Sequence, residues 1–184
     1  LIINNSTENA NNTRFARITI NTAEGNYSLA NEGFRGMGVQ KAKQYDFSIS
    51  VRSRSTSNLK IKIQLLNATG QIIGNTLVEN FTTNWKKYTA SFITTDTVQK
   101  GKLSLVFEGT GEIDIDNVSL FPHDTWKGRP AGLRNDLVQK IADLKPGFIR
   151  FPGGCIVEGR DLTNRYQWKK TIGEPENRKL IMNR

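Results

Sequence analysis

The feature that most restricts this chain is a strict two-residue alternation of apolar and polar side chains, recurring from Phe15 to Asp116. It runs through Phe15 to Ile20, Tyr45 to Ser53, Leu59 to Leu65, Leu103 to Phe107 and Ile113 to Asp116. A period of two puts every second side chain on the same face, so each run reads as a strand with one buried side. A further strand runs from Trp85 to Phe92. Turn signals separate the runs at Asn67-Ala68-Thr69-Gly70, Thr83-Asn84 and Gly109-Thr110-Gly111. No helical spacing occurs before about residue 130. Many short strands with turns between them make a mainly β domain, an antiparallel β-sandwich of jelly-roll type. Leu120-Phe121-Pro122 closes its last strand, so the sandwich is expected over residues 1–122.

After a polar connection at residues 123–131 the pattern changes. Leu133, Leu137, Val138, Ile141 and Leu144 recur at helical spacing, with Arg134, Asp136, Lys140 and Asp143 on the opposite side. The run Pro146-Gly147-Phe148-Ile149-Arg150-Phe151 then ends in Pro152-Gly153-Gly154-Cys155. That reads as a strand stopping at a loop whose backbone can turn sharply and come close to a ligand. Helix, strand and Gly-rich loop form an α/β unit, and in (β/α)8 barrels the loop after a strand carries active-site residues. One helix and one strand cannot bury their own faces. Residues 123–184 are therefore expected to be the incomplete start of a barrel, and the chain to be a fragment. Arg150 admits two readings: a buried guanidinium paired with a carboxylate, or an arginine emerging at a strand end.

With 184 residues, 36% of them hydrophobic and only 5 prolines, the chain is globular, of one domain or two. The formal charge of +9 raises nucleic acid as a partner. The basic residues are scattered, however, and the pairs Lys86-Lys87 and Lys169-Lys170 lack interleaved stacking aromatics, which argues against it. No apolar run is long enough for a membrane span, and no leader pattern is present, although an opening at Leu1 leaves room for one upstream. Cys155 is the only cysteine, so no disulfide forms within the chain; His123 is the only histidine, which argues against a histidine-built zinc site. The Asn67-Ala68-Thr69 and Asn80-Phe81-Thr82 matches to a glycosylation signal are expected by chance in so Asn- and Thr-rich a chain.

The stretches Arg129-Pro130-Ala131-Gly132-Leu133-Arg134, Leu144 to Cys155, Glu158-Gly159 and Asn164 to Gly173 resemble the α-L-arabinofuranosidases of glycoside hydrolase family 51. In the group they most resemble, a sandwich similar to family 4 carbohydrate-binding modules interrupts the barrel after its first strand. Leu29-Ala30-Asn31-Glu32-Gly33-Phe34 and Ile115-Asp116-Asn117-Val118-Ser119-Leu120 resemble that module. The resemblance implies a retaining glycoside hydrolase that removes terminal arabinose from plant polysaccharides, secreted or periplasmic. Its two catalytic glutamates belong to later barrel strands, so no catalytic residue is expected here and the fragment alone is expected to be inactive. Asn31-Glu32, the only Asn-Glu pair, reads as a turn or strand-edge pair instead. The runner-up reading is a non-catalytic glycan-binding or adhesion-type sandwich.

By the same resemblance Gly153, Gly154 and Cys155 line the arabinofuranose subsite, and Arg150 orients the nucleophilic carboxylate. Many family members have Asn where Cys155 stands, so this thiol is either a weak hydrogen-bond donor to sugar or a small loop filler. Glu158 reads as a solvated loop residue, while Tyr166 and Trp168 either offer an apolar face to sugar or pack the loop. In the sandwich, Tyr45 and Phe47 share one strand face and are expected in the core, and the resemblance to such modules implies that Trp85 packs there too. No cofactor is required. Similar modules often carry a structural calcium, for which Asp116 is the carboxylate to watch, against the six to eight oxygens such an ion takes. Expected partners are an arabinose-containing polysaccharide or oligosaccharide, with self-association through the incomplete barrel segment.

Overall fold

The computed structural model describes residues 1–7, 12–54, 57–151 and 153–178. Two compact units form, one of Leu1 with Ala16–Lys140, the other of Ile2–Phe15 with Ile141–Arg184. Ten strands follow in order: β1 (Ile2–Asn4), β2 (Arg14–Ile20), β3 (Tyr27–Asn31), β4 (Met37–Val39), β5 (Gln44–Ser53), β6 (Lys60–Leu66), β7 (Ile72–Val78), β8 (Lys86–Ile93), β9 (Val98–Glu108) and β10 (Gly111–Pro122). They make two antiparallel sheets, ordered β1-β2-β10-β5-β8 and β3-β9-β6-β7, with β4 pairing β9.

The alternation produces this arrangement directly. Tyr45, Phe47, Ile49 and Val51 of β5 and Ile113 and Ile115 of β10 point inward from the first sheet. Ile61, Ile63 and Leu65 of β6 and Leu103, Leu105 and Phe107 of β9 meet them from the second. Burying each such side chain is worth about 1.5–3 kcal/mol, so this single core carries the sandwich. Tyr45 and Phe47 lie in it as expected. Trp85 does not: it stands just before β8, is 37% exposed, and is absent from the core cluster. The inner face of β8 is instead carried by Tyr88, Ala90 and Phe92, and Tyr88 packs against the cluster and meets Phe81 edge-on at 5.1 Å.

The strands that alternation does not reveal are β1, β3, β4 and β7. β3 is exposed along its whole length, so neither of its faces needs to be apolar. β7 breaks the period where its pairing with β6 shifts between Leu65 and Leu66, and there Gly74 takes a buried position. A Cβ on Gly74 would stand 2.5 Å from the ring of Phe92, so glycine is what lets β7 approach β8.

Beyond Pro122 the chain is tied back to the sandwich. His123 pairs with Asp46 at 2.8 Å, Lys43 with Asp124 at 3.6 Å, and Thr125 forms an antiparallel bridge with Arg134. The periodic segment forms the helix α1 (Asn135–Asp143), whose first turn holds Asp136 in a two-bond clasp with Arg134 at 3.1 and 2.6 Å. A carboxylate at that end suits the helix dipole, and the Arg134 hydrogen bond holds the Asp136 carboxyl below its ordinary value.

The expected strand over residues 146–151 is not formed. Phe148–Phe151 run as irregular backbone with exposed side chains, Phe148 at 83% and Phe151 at 80%. A strand is stable only when its N–H and C=O groups pair with a neighbour, and residues 148–151 have no strand partner among the described residues.

Candidate functional site

Residues 153–168 form a loop built on backbone geometry rather than on a strand. Gly154 sits at φ 84°, ψ −174°, a conformation open to glycine alone, and the single helical turn α2 (Cys155–Glu158) follows it. Glycine here also keeps the approach to Cys155 free of any side chain, since no atom lies within 4 Å of where a Cβ would be. Arg150 folds toward this turn: a Cβ on Gly153 would stand 3.7 Å from its Nε. The structure thus brings Arg150, Gly153, Gly154 and Cys155 into one short stretch, with the Cys155 thiol free and exposed. Pro152 lies outside the described residues.

The next turn is held by side-chain oxygens. Asp161 Oδ1 accepts from Thr163 and Asn164 N–H groups at 2.9 and 3.1 Å and from the Thr163 hydroxyl. The Thr163 hydroxyl, with those N–H groups, holds the Asp161 carboxyl below its ordinary value. Asn164 Oδ1 accepts from the N–H groups of Arg160 and Asp161 at 2.7 and 3.0 Å. Glu158 is exposed, Tyr166 is half-buried, and Trp168 is exposed with Lys169 over its ring. One face of the Trp168 ring thus lies under Lys169, and Tyr166 is the less exposed of the two.

On the sandwich, a charged row crosses the outer side of the first sheet. Ile113 and Ile115 enter the core, so Asp114 between them faces away from it, opposite Arg17 of β2 and Arg52 of β5. Asp114 is fully buried beneath these neighbours. Arg17 donates to it at 2.7 and 3.1 Å and Arg52 at 2.8 Å, while Arg54 stands at 3.8 Å. Burial pushes the Asp114 carboxyl up, but the hydrogen bonds and charges of Arg17 and Arg52 outweigh it and hold it below its ordinary value. The row ends at Trp85, over whose ring the Arg52 guanidinium lies at 4.7 Å. One face of Trp85 is thereby occupied, which leaves less of it for a sugar.

Sequence reasoning missed this row because Arg17, Arg52 and Asp114 are far apart in the chain. The available signal was a charge at the outward position of three alternating strands; which charges meet depends on strand register. Two positions down β10, Asp116 sits at a bulge where Asn117 takes φ 49° and donates its N–H to Asp116 Oδ1 at 2.7 Å. The Asn117 side-chain amide reaches Oδ2 at 3.3 Å. Among the described residues no group of three or more His, Cys, Asp or Glu side chains is gathered, so oxygens for a calcium at Asp116 would have to come mainly from carbonyls and water. Asn31 ends β3 and accepts the Gly33 N–H at 2.7 Å, and Glu32 pairs with Lys102 at 2.6 Å, the geometry of a strand-end turn.

Two facing antiparallel sheets around a single apolar core make a jelly-roll-type β-sandwich. The chain belongs to the carbohydrate binding domain family, whose model matches residues 4–112. A second model, of the alpha-L-arabinofuranosidase 1 domain, matches residues 140–184. The chain is 38% identical over 163 residues to an extracellular exo-α-L-arabinofuranosidase of Streptomyces chartreusis, a match covering 82% of this chain and 19% of that protein. It is 36% identical over 156 residues to alpha-L-arabinofuranosidase 1 of Arabidopsis thaliana, covering 84% of this chain and 23% of that protein. The solved structure of an arabinose-bound α-L-arabinofuranosidase of glycoside hydrolase family 51 is similar at a TM-score of 0.77 and 26% identity, over 90% of this chain and 28% of that one. The chain thus spans about a fifth to a quarter of the length of the curated relatives it matches.

Proposed function

We propose that these residues are the sandwich and the opening barrel segment of a retaining α-L-arabinofuranosidase. The enzyme removes terminal non-reducing α-L-arabinofuranosyl residues from arabinose-containing plant polysaccharides. The observation that carries this reading is the shared fold, at a TM-score of 0.77 over 90% of the chain, with an arabinose-bound enzyme of that activity. The functional boundary falls after Pro122, where β10 ends. Gly153, Gly154 and Cys155 line the sugar subsite, with glycine letting the backbone come close to the ring. Arg150, folded beside Gly153, orients the nucleophilic carboxylate.

Retaining hydrolysis needs two carboxyl groups about 5–5.5 Å apart, one as nucleophile and one as acid and then base. In this reading both come from the longer polypeptide, no cofactor enters the chemistry, and a calcium at Asp116 is purely structural. The enzyme acts outside the cell, in keeping with the Streptomyces relative described as extracellular. The 184-residue chain by itself is expected to leave an aryl α-L-arabinofuranoside intact, while the longer polypeptide hydrolyses it. Turnover by the 184 residues alone, lost when one of their own carboxylates is changed, would overturn the reading.

The barrel segment in isolation associates with itself. Leu133, Leu144, Phe148 and Phe151 are exposed on it, and Leu137 and Ile141 half so. Burying each is worth about 1.5–3 kcal/mol, a strong drive to find a partner surface. Sedimentation of the chain is expected to show concentration-dependent association that Phe148→Ser with Phe151→Ser weakens. Monomers for both proteins at every concentration would contradict this.

A further inference from the structure

We propose that the strand β3 is a self-recognition edge, at which two copies of the chain pair antiparallel and join their second sheets. This goes beyond the enzyme reading and does not depend on it. β3 and β4 lie end to end on one side of β9, with the turn at residues 32–36 between them, while β6 takes the other side. In an antiparallel ladder every second N–H and C=O of a strand turns away from its neighbour. Among the described residues no strand or backbone group pairs with those outward groups of β3.

β3 lacks the devices that keep an edge single. Tyr27–Asn31 holds no charged residue and no proline, and its register on β9 runs without a bulge. Tyr27 and Leu29 stand opposite Phe107 and Leu105, so they point to the side of the core. Phe107 and Leu105 are buried, whereas Tyr27 and Leu29 are exposed, Leu29 at 46%. The sandwich is therefore open along this flank. Phe34, in the turn that follows β3, is 97% exposed and adds apolar surface at the end of the same edge.

Charge selects the occupant. Glu24 precedes β3 and Arg35 follows it; both are exposed, and among the described residues neither is in an ion pair. Glu32, the other charge in the turn, is already tied to Lys102 at 2.6 Å. The edge is thus negative where β3 begins and positive beyond its end. Two copies paired antiparallel about Leu29 bring Glu24 of each toward Arg35 of the other, at both ends of the ladder. Parallel pairing would put like charges together. The same register sets Leu29 against Leu29 and Tyr27 against Asn31, with no charge inside the ladder. One patch serves both copies, so the pair closes as an isologous dimer. Five residues a side make a small contact, and the dimer is a weak one that forms as concentration rises.

The test is sedimentation equilibrium of the 184-residue chain carrying Phe148→Ser and Phe151→Ser, a background in which association through the barrel segment is weakened. Thermal unfolding of each variant runs beside it. The background chain is expected to dimerise as concentration rises. Leu29→Lys, which sets two like charges face to face, is expected to abolish the dimer. Glu24→Arg and Arg35→Glu are each expected to weaken it roughly tenfold, as like charges meet at both ends, and the two together to restore it. Recovery in the double variant is a result that mere damage to the fold cannot give. A background chain that stays monomeric at every concentration would overturn the proposal. So would association indifferent to Leu29→Lys, or single charge reversals whose effects the double variant does not cancel. Protection of the β3 amides from hydrogen exchange in a monomeric longer polypeptide would also overturn it, by giving the edge to the rest of that polypeptide.

Discussion

Replacing Asp114 with alanine is expected to destabilise the sandwich by about 3–5 kcal/mol, the usual cost of removing one partner from a buried ion pair. The cost arises because Arg17 and Arg52 converge on a carboxylate with no exposure to water. Once it is gone, Arg52, itself buried, has lost that partner. Asp114→Asn is expected to recover little, since an amide keeps one acceptor oxygen and no charge. For a domain of this size each kcal/mol is worth about 2–4 °C in Tm, so the transition drops by on the order of ten degrees. Thermal unfolding of both variants measures it, and an unchanged Tm would mean that the row is not coupled to the fold.

The same group fixes a pH dependence. Its carboxyl is held below its ordinary value in the folded protein, so the unfolded chain takes up the proton first as pH falls. The stability it contributes is therefore complete above the ordinary carboxylate value and is lost as pH drops through the lowered folded one. Chemical denaturation across acid pH should show that loss in the natural chain and much less of it in Asp114→Asn.

Much of the fold was legible because a half-buried strand writes its geometry into every second residue. β5, β6, β9 and the first half of β10 each bury one face against the other sheet, and their alternation is the imprint of that burial. β3 was invisible because an exposed edge strand has no buried face to encode. β7 was invisible because a register shift and Gly74 break its period. Trp85 misled because the modules it resembles pack a Trp there against the core, whereas here the Arg52 guanidinium lies over its ring. The apolar run at 148–151 misled in another way, since apolar content favours a strand only where a neighbour completes the ladder. The loop residues are proposed through motif resemblance, and the approach of the Arg150 side chain to Gly153 left no mark in the sequence pattern.

Arg150 and the Gly153-Gly154-Cys155 turn are proposed to belong to the sugar site of an arabinofuranosidase. An arginine that orients a nucleophile acts through geometry, and misplacing a reacting group by about 1 Å can cost roughly 10²-fold in rate. Arg150 is exposed in the 184-residue chain, and thermal unfolding beside the assay separates a lost geometry from a lost fold. Arg150→Lys keeps the charge but loses the planar fork that grips a carboxylate on two sides, and is expected to fall between alanine and arginine. The decisive measurement is kcat/KM of the longer polypeptide for an aryl α-L-arabinofuranoside, natural against Arg150→Ala, with thermal unfolding run beside it. A fall of about 10²-fold or more in kcat/KM at unchanged Tm is the predicted result, and full activity in the alanine variant would contradict the claim.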